Sequence, residues 1–111
     1  MSEPKKPRRR KAPAAGLLPL VVLKLLSEKP MHGYQIAEEI FQRIGYRMAL
    51  PPIYMALRRL ESRGFVRSEW ITGSSGPARR IYHITEEGKA LLESRIKRLR
   101  IIKKLADMVL E

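Results

Sequence analysis

Tyr54 and Arg58 lie one helical turn apart in the run IYMALRRLESRG at 53–64, with Met55 and Arg59 beside them. A phenol on a helix can stack on a sugar or donate to a phosphate. An arginine can reach a phosphate, or grip a guanine edge through two parallel hydrogen bonds. The competing reading is a half-buried helix tyrosine beside solvated arginines, Arg59 paired with Glu61 or Glu38. A second basic pair, Arg79 and Arg80, follows a Gly-Ser-Ser-Gly-Pro-Ala stretch. If that pair lies on a strand, the two side chains point to opposite faces, and only one can meet a ligand. Tyr34 and Gln35 open another helical run, where backbone amides and side chains often hold a phosphate, with a core residue as the alternative reading of Tyr34. A third group is Arg8, Arg9 and Arg10, flanked by Lys5, Lys6 and Lys11. All of these groups suit the same partner, a polyanion. The net charge of +12 on 111 residues says the same.

Other chemistry is poorly supplied. There is no cysteine, and the two histidines, His32 and His83, stand far apart, so no metal site, cofactor or thiol nucleophile is expected. Both histidines read as structural. Glu38-Glu39 and Glu86-Glu87 are adjacent pairs that diverge on a helix and cannot grip one substrate together. No nucleophile has a plausible base, so no catalytic residue is assigned and an enzyme is not expected. The longest apolar stretch, Leu17 to Leu26, is broken by Pro19 and Lys24 and falls short of the roughly 20 residues that cross a bilayer. The expectation is no membrane contact and a cytoplasmic, nucleoid-associated location.

The elements that must position these groups follow from periodicity. Residues 1–16 hold six basic side chains, three prolines and the single acid Glu3, and read as a disordered basic arm. Leu17 to Ser27 is apolar almost all round, a helix buried on several sides, with Pro19 in its first turn. Gly33 to Ile44 carries Ile36, Ile40 and Ile44 at helical spacing and ends at Gly45, a left-handed cap. Pro51-Pro52 opens a third helix, 51–63, with Ile53, Leu57 and Leu60 on its buried stripe. Phe65 to Thr72 and Arg79 to Thr85 read as two strands of a hairpin with its wing at 72–80. Val66 with Trp70, and Tyr82 with Ile84, are expected to face the helices. Thr85 caps a last helix that runs to about Glu111, with Glu86 and Glu87 in its first turn.

That last helix carries Leu92, Ile96, Leu99, Ile102, Ala106 and Val109 at near-heptad spacing, widened by Ile101, Leu105 and Met108. So small a domain cannot cover both this stripe and the first helix. A homodimer with Leu17, Leu18, Val21 and the stripe at its interface is the economical solution. Trp70, Ile101 and Met108 read as packing residues rather than ligand contacts.

Three runs resemble the PadR family of transcriptional regulators. HGYQIAEEI at 32–40 is similar to its second helix. IYMALRRLESRGFV at 53–66 carries the pattern Tyr-x-x-Leu-x-x-Leu-Glu-x-x-Gly. GPARRIYHITEEGKALL at 76–92 is similar to its wing and the opening of its last helix. The resemblance spans about 17–110 and leaves the arm outside it. It implies a winged helix, a homodimer held by the last and first helices, and, in many members, ligand-sensitive repression with a small apolar effector at the dimer interface. The fold expected is thus mainly α with a small β-hairpin. A winged helix-turn-helix at 17–85 is followed by a long C-terminal dimerisation helix at 86–111.

The function expected is sequence-specific repression at a palindromic double-stranded DNA operator. The helix at 51–63 would lie in the major groove and the wing on the flanking backbone. Tyr34, Gln35, Tyr54, Met55, Arg58, Arg59, Arg79, Arg80 and the arm residues Arg8, Arg9 and Arg10 are the candidate contacts. A rival reading from the same charge is a sequence-tolerant architectural DNA-binding protein. A third is a protein-interaction module, against which the basic third helix argues.

Overall fold

The computed structural model describes residues 16–73 and 76–111. Four helices and a two-stranded antiparallel hairpin run in the order α1 (Leu18–Glu28), α2 (Gly33–Ile44), α3 (Leu50–Ser62), β1 (Val66–Ile71), β2 (Arg79–Ile84) and α4 (Glu86–Leu110). This is a winged helix with an added C-terminal helix. The expected boundaries shift by a residue or two. α3 begins one residue before Pro51, since a proline is tolerated throughout the first turn, where amides have no helical acceptor. The basic arm, with Arg8, Arg9 and Arg10, and the hairpin tip at 74–75 lie outside the described residues.

The core is the meeting point of α1, α2 and α3. Val22, Leu23, Ile36, Ile53 and Leu57 are wholly buried, and Leu25, Leu26, Ile40 and Leu60 surround them. α1 is apolar except for Lys24, Ser27 and Glu28, which stay exposed, so it sits in the middle and touches α3, α4 and β2. α2 ends at Gly45, whose φ of 68° is the left-handed conformation that closes the last turn. Arg43 pairs with Glu39 on its own helix and with Glu28 at the end of α1, tying α1 to α2. The Arg43 guanidinium holds the Glu28 carboxyl below its ordinary range.

The hairpin is bound to this core at its base. Val66 pairs with Ile84 and Ser68 with Tyr82, so Val66 and Tyr82 turn inward and are buried. Met31, in the connection between α1 and α2, adds one further bridge. Its N–H donates to the Tyr82 carbonyl (3.2 Å) and the Tyr82 N–H donates back (2.8 Å). Trp70 corrects the expectation. It lies on the same strand face as Val66, yet it is 64% exposed, because the strands extend past the end of the helical layer.

Thr85 joins the hairpin to α4. Its hydroxyl accepts the Gly88 N–H (3.1 Å) and donates to the Gly64 carbonyl (2.7 Å), satisfying the cap and the α3–β1 turn together. Gly88 is buried, and a Cβ there would overlap the Phe65 carbonyl oxygen. From this anchor α4 runs roughly 37 Å. Leu91 and Leu92 pack on the core, and Ile96 and Leu99 are half covered. From Ile101 onward every residue is exposed, Ile102, Ala106 and Val109 included. Among the described residues no helix is long and apolar enough to cross a membrane.

Candidate nucleic-acid interface

Three elements converge on one side of the fold: the start of α2, the middle of α3, and the outer part of the hairpin. They enclose an open cleft of about 480 Å³. Tyr34 lines it from α2, Tyr54 and Arg58 from α3, and Trp70, Arg79 and Arg80 from the hairpin. With Tyr82 at its floor, the phenol or indole rings of four residues and three guanidinium groups therefore share one concavity.

The close approach of α2 to α3 has a local cause. Gly33 opens α2 against the ring of Tyr54, and a Cβ at Gly33 would stand 2.5 Å from a ring carbon. With no side chain there, the ring stands partly exposed in the cleft.

His32 caps α2 in an unusual way. Its Nδ1 accepts the Gln35 N–H (3.2 Å), and the Gln35 side-chain oxygen accepts the His32 N–H (3.0 Å), a reciprocal capping box. Arg79 stands 3.0 Å from the other ring nitrogen, Nε2. A neutral imidazole has one lone pair, and a guanidinium can only donate. When Nδ1 serves the cap, Nε2 carries the proton and Arg79 gains no hydrogen bond from it. Partial burial, and then the charge of Arg79, hold the His32 pKa below its ordinary value, so the ring stays neutral and keeps the cap. Arg79 has no carboxylate partner among the described residues.

The other arginines divide. Arg58 faces the cleft beside Tyr54, with no carboxylate in ion-pairing reach among the described residues. Arg59 points to the other flank of α3, with Arg63, Arg95 and Arg98 around a second recess that Leu17 and Leu99 also line. The pairing with Glu61 or Glu38 that the competing reading required is not formed; Glu61 is taken by Arg80 instead. Met55 is exposed on that same flank. Arg80 Nε donates to Ser68 (2.7 Å) and its Nη2 to Glu61 (2.9 Å), with the guanidinium 5.6 Å over the Trp70 ring. Of the α2 pair, Tyr34 is exposed, while the Gln35 oxygen is committed to the cap.

Sequence reasoning missed His32 and Trp70 as cleft residues. The signal for Trp70 was available in the pairing register, which sets it directly opposite Arg80. For His32 there was none, because histidine is an uncommon helix cap. His83 lies elsewhere, its Nε2 2.8 Å from Glu69.

The proposed dimer residues fall on another surface. Leu17, Val21, Leu92, Ile96 and Leu99 share an open apolar groove between α1, α2 and α4, of about 490 Å³. Leu18 does not join them. It is buried in the core of its own chain, 4% exposed, and has almost no surface left for a partner subunit.

Comparison with known proteins places this geometry. A model of the PadR-like transcriptional regulator family matches residues 22–94. A candidate transcriptional regulator from Thermoplasma acidophilum has a similar structure, with a TM-score of 0.80 and 35% identity over 86% of this chain and 92% of that one. A PadR family transcription regulator from Clostridium difficile matches with a TM-score of 0.74 and 32% identity, over 86% of this chain and all of that one. The Mycobacterium tuberculosis transcriptional regulator Rv3488 is 36% identical over 73 residues, 66% of each chain.

Proposed function

The chain belongs to the PadR-like family of DNA-binding transcriptional regulators, and from that premise we propose that it is a homodimeric repressor of a palindromic operator. The observation that carries this reading is the cleft between α3 and the hairpin, where Arg58 and Arg79 have no carboxylate partner among the described residues and stand among exposed aromatic rings. In this reading α3 enters the major groove and Arg58 reads a base edge. Tyr34 and Tyr54 hold the backbone beside it, and Arg79 follows the flanking phosphates from the wing. Arg59 and Met55, on the other flank of α3, face the opposite wall of the groove. Arg8, Arg9 and Arg10 add phosphate contacts. Residues 17–85 form the DNA-binding unit and residues 86–111 the dimerisation helix, and the regulator works on cytoplasmic, nucleoid DNA.

The homodimer is supported by the outer half of α4, where Ile101, Ile102, Leu105, Met108, Val109 and Leu110 are all exposed. Burying such side chains contributes about 1.5–3 kcal/mol each. The apolar groove lined by Val21, Ile96 and Leu99 supports a small apolar effector at that interface.

The test is a titration of DNA taken from just upstream of the chain's own gene against a scrambled duplex of the same composition, across a salt series. A regulator holds the upstream duplex at salt concentrations that release the scrambled one. Arg58→Ala then costs about 1–3 kcal/mol on the upstream duplex and much less on the scrambled one. Coincident curves at every salt, with dense coating of both duplexes, would mean an architectural protein instead.

A further inference from the structure

Arg79 and Arg80 are neighbours in sequence, and both carry the charge a phosphate wants. Their surroundings differ. Arg80 Nε donates to Ser68 Oγ (2.7 Å), and its Nη2 donates to Glu61 Oε1 (2.9 Å). Ser68 Oγ in turn donates to Glu61 Oε2 (2.5 Å), which closes the ring. The carboxylate therefore spends both oxygens on the hairpin. Glu61 belongs to the last turn of α3, Ser68 to β1 and Arg80 to β2, so three side chains tie the helix to both strands. The cluster is partly covered, with Glu61 28% exposed at its side chain. The Arg80 guanidinium is also sandwiched near two rings, 5.6 Å over Trp70 and 5.8 Å over Tyr82.

A hairpin fastened only at its base can swing about that base. The hydrophobic fastening ends at Val66 and Tyr82, and Trp70 beyond them is exposed. The polar ring lies at this end of the fastening. Among the described residues it is the outermost set of side-chain hydrogen bonds joining the hairpin to α3; the Arg79–His32 contact reaches the start of α2 instead.

We propose that Glu61, Ser68 and Arg80 form a latch that fixes the angle between the recognition helix and the wing. Arg80 is then a positioning residue, which acts on DNA through where it places Arg79 and Trp70 rather than by touching a phosphate. This inference rests on the DNA-binding reading above and assigns to Glu61, an acid on a DNA-facing helix, a favourable part in binding.

The sign of the Glu61→Ala effect decides it. If Arg80 is itself a phosphate contact, removing Glu61 frees a guanidinium and deletes a negative charge beside DNA, and affinity stays level or rises. If the latch operates, affinity falls. The probe is the duplex that the wild-type chain selects from a random pool. About a tenfold loss is expected for Glu61→Ala. Arg80→Ala loses a similar factor, and the double variant is no weaker than either alone. In an Arg79→Ala background, where the wing contact is already gone, Glu61→Ala costs little more. Unchanged or tighter binding by Glu61→Ala, or additive losses in the double variant, would overturn the latch. Glu61→Gln, nearly isosteric, serves if the alanine variant does not fold, and reads in the same direction.

A DNA-free readout separates this from failure of the DNA reading. Trp70 is the only tryptophan, and Arg80 lies over it. Release of the latch should raise the access of a collisional quencher to Trp70 in the free protein, with the melting temperature little changed. No change in quenching overturns the latch even if DNA binding weakens. A wild-type chain that selects no duplex overturns the DNA reading and the positioning role with it.

Discussion

The body of this fold and the outer half of α4 are made of similar apolar side chains, and they end in opposite situations. Leu23, Ile36, Ile53 and Leu57 are removed from water by their own chain. Ile101, Leu105, Met108 and Val109 have comparable bulk and sit at helical spacing, yet Val109 is 83% exposed. The difference lies in what each helix can reach. α1, α2 and α3 fold onto one another through short connections, whereas α4, anchored at Gly88 and Leu91, leaves the body beyond Leu99. An apolar stripe declares that something must cover it, but only the geometry of the chain decides whether the cover is internal.

The sharpest way to break this comparison is to damage both regions and vary protein concentration. Leu57→Ala should lower stability by about 2–5 kcal/mol, the cost of a core cavity. That loss should appear at every concentration. Leu105→Glu should instead abolish the rise of melting temperature with concentration that a dimer shows, and sedimentation should give a monomer. If Leu105→Glu sediments like the wild type, the outer half of α4 is not the subunit seam.

Two glycines sharpen the contrast further, with smaller effects. At Gly88 a Cβ would meet backbone, the Phe65 carbonyl, which cannot move without shifting the hairpin base. Gly88→Ala should cost about 1–3 kcal/mol of stability, read by thermal melting. At Gly33 the added carbon would meet the Tyr54 ring, which can rotate away. Gly33→Ala should therefore leave stability nearer the wild type and weaken DNA binding instead. A melt that drops equally for both would mean that Tyr54 is locked as firmly as the backbone.

How much of this was legible in the sequence follows the same line. The helical stripes of α2 and α3, the hairpin, and the Thr85 cap are local, and local patterns announce them. Trp70 was misjudged because strand alternation tells which face a residue takes, not where the covering layer stops. Leu18 is assigned to a subunit seam by the sequence because α1 is apolar almost all round, and periodicity cannot divide such a helix between its own core and a partner. The pairing of Glu61 with Arg80 rather than Arg59 spans 19 residues. It depends on the hairpin folding back over α3, which no local pattern encodes. The roles of Arg58 and Arg79 rest on a cleft that exists only once three elements have met.

The smallest effect concerns His32, which caps α2 only while neutral. Its pKa in the folded chain is lowered, chiefly by partial burial and then by Arg79. As pH falls, the unfolded chain takes up the proton first, near the ordinary value of about 6.5. Stability contributed by the neutral ring is therefore complete above that value and is lost as pH falls through the lower, folded pKa. Glu28, also lowered, titrates in the more acidic carboxylate range, so the two losses separate. His32→Asn keeps an oxygen to accept the Gln35 N–H and has no proton to gain. Between neutral pH and about pH 5, the wild type should lose melting temperature that the asparagine variant retains. Parallel melting curves for the two would mean that the ring nitrogen does not carry the cap, and that Arg79 holds His32 in the other tautomer.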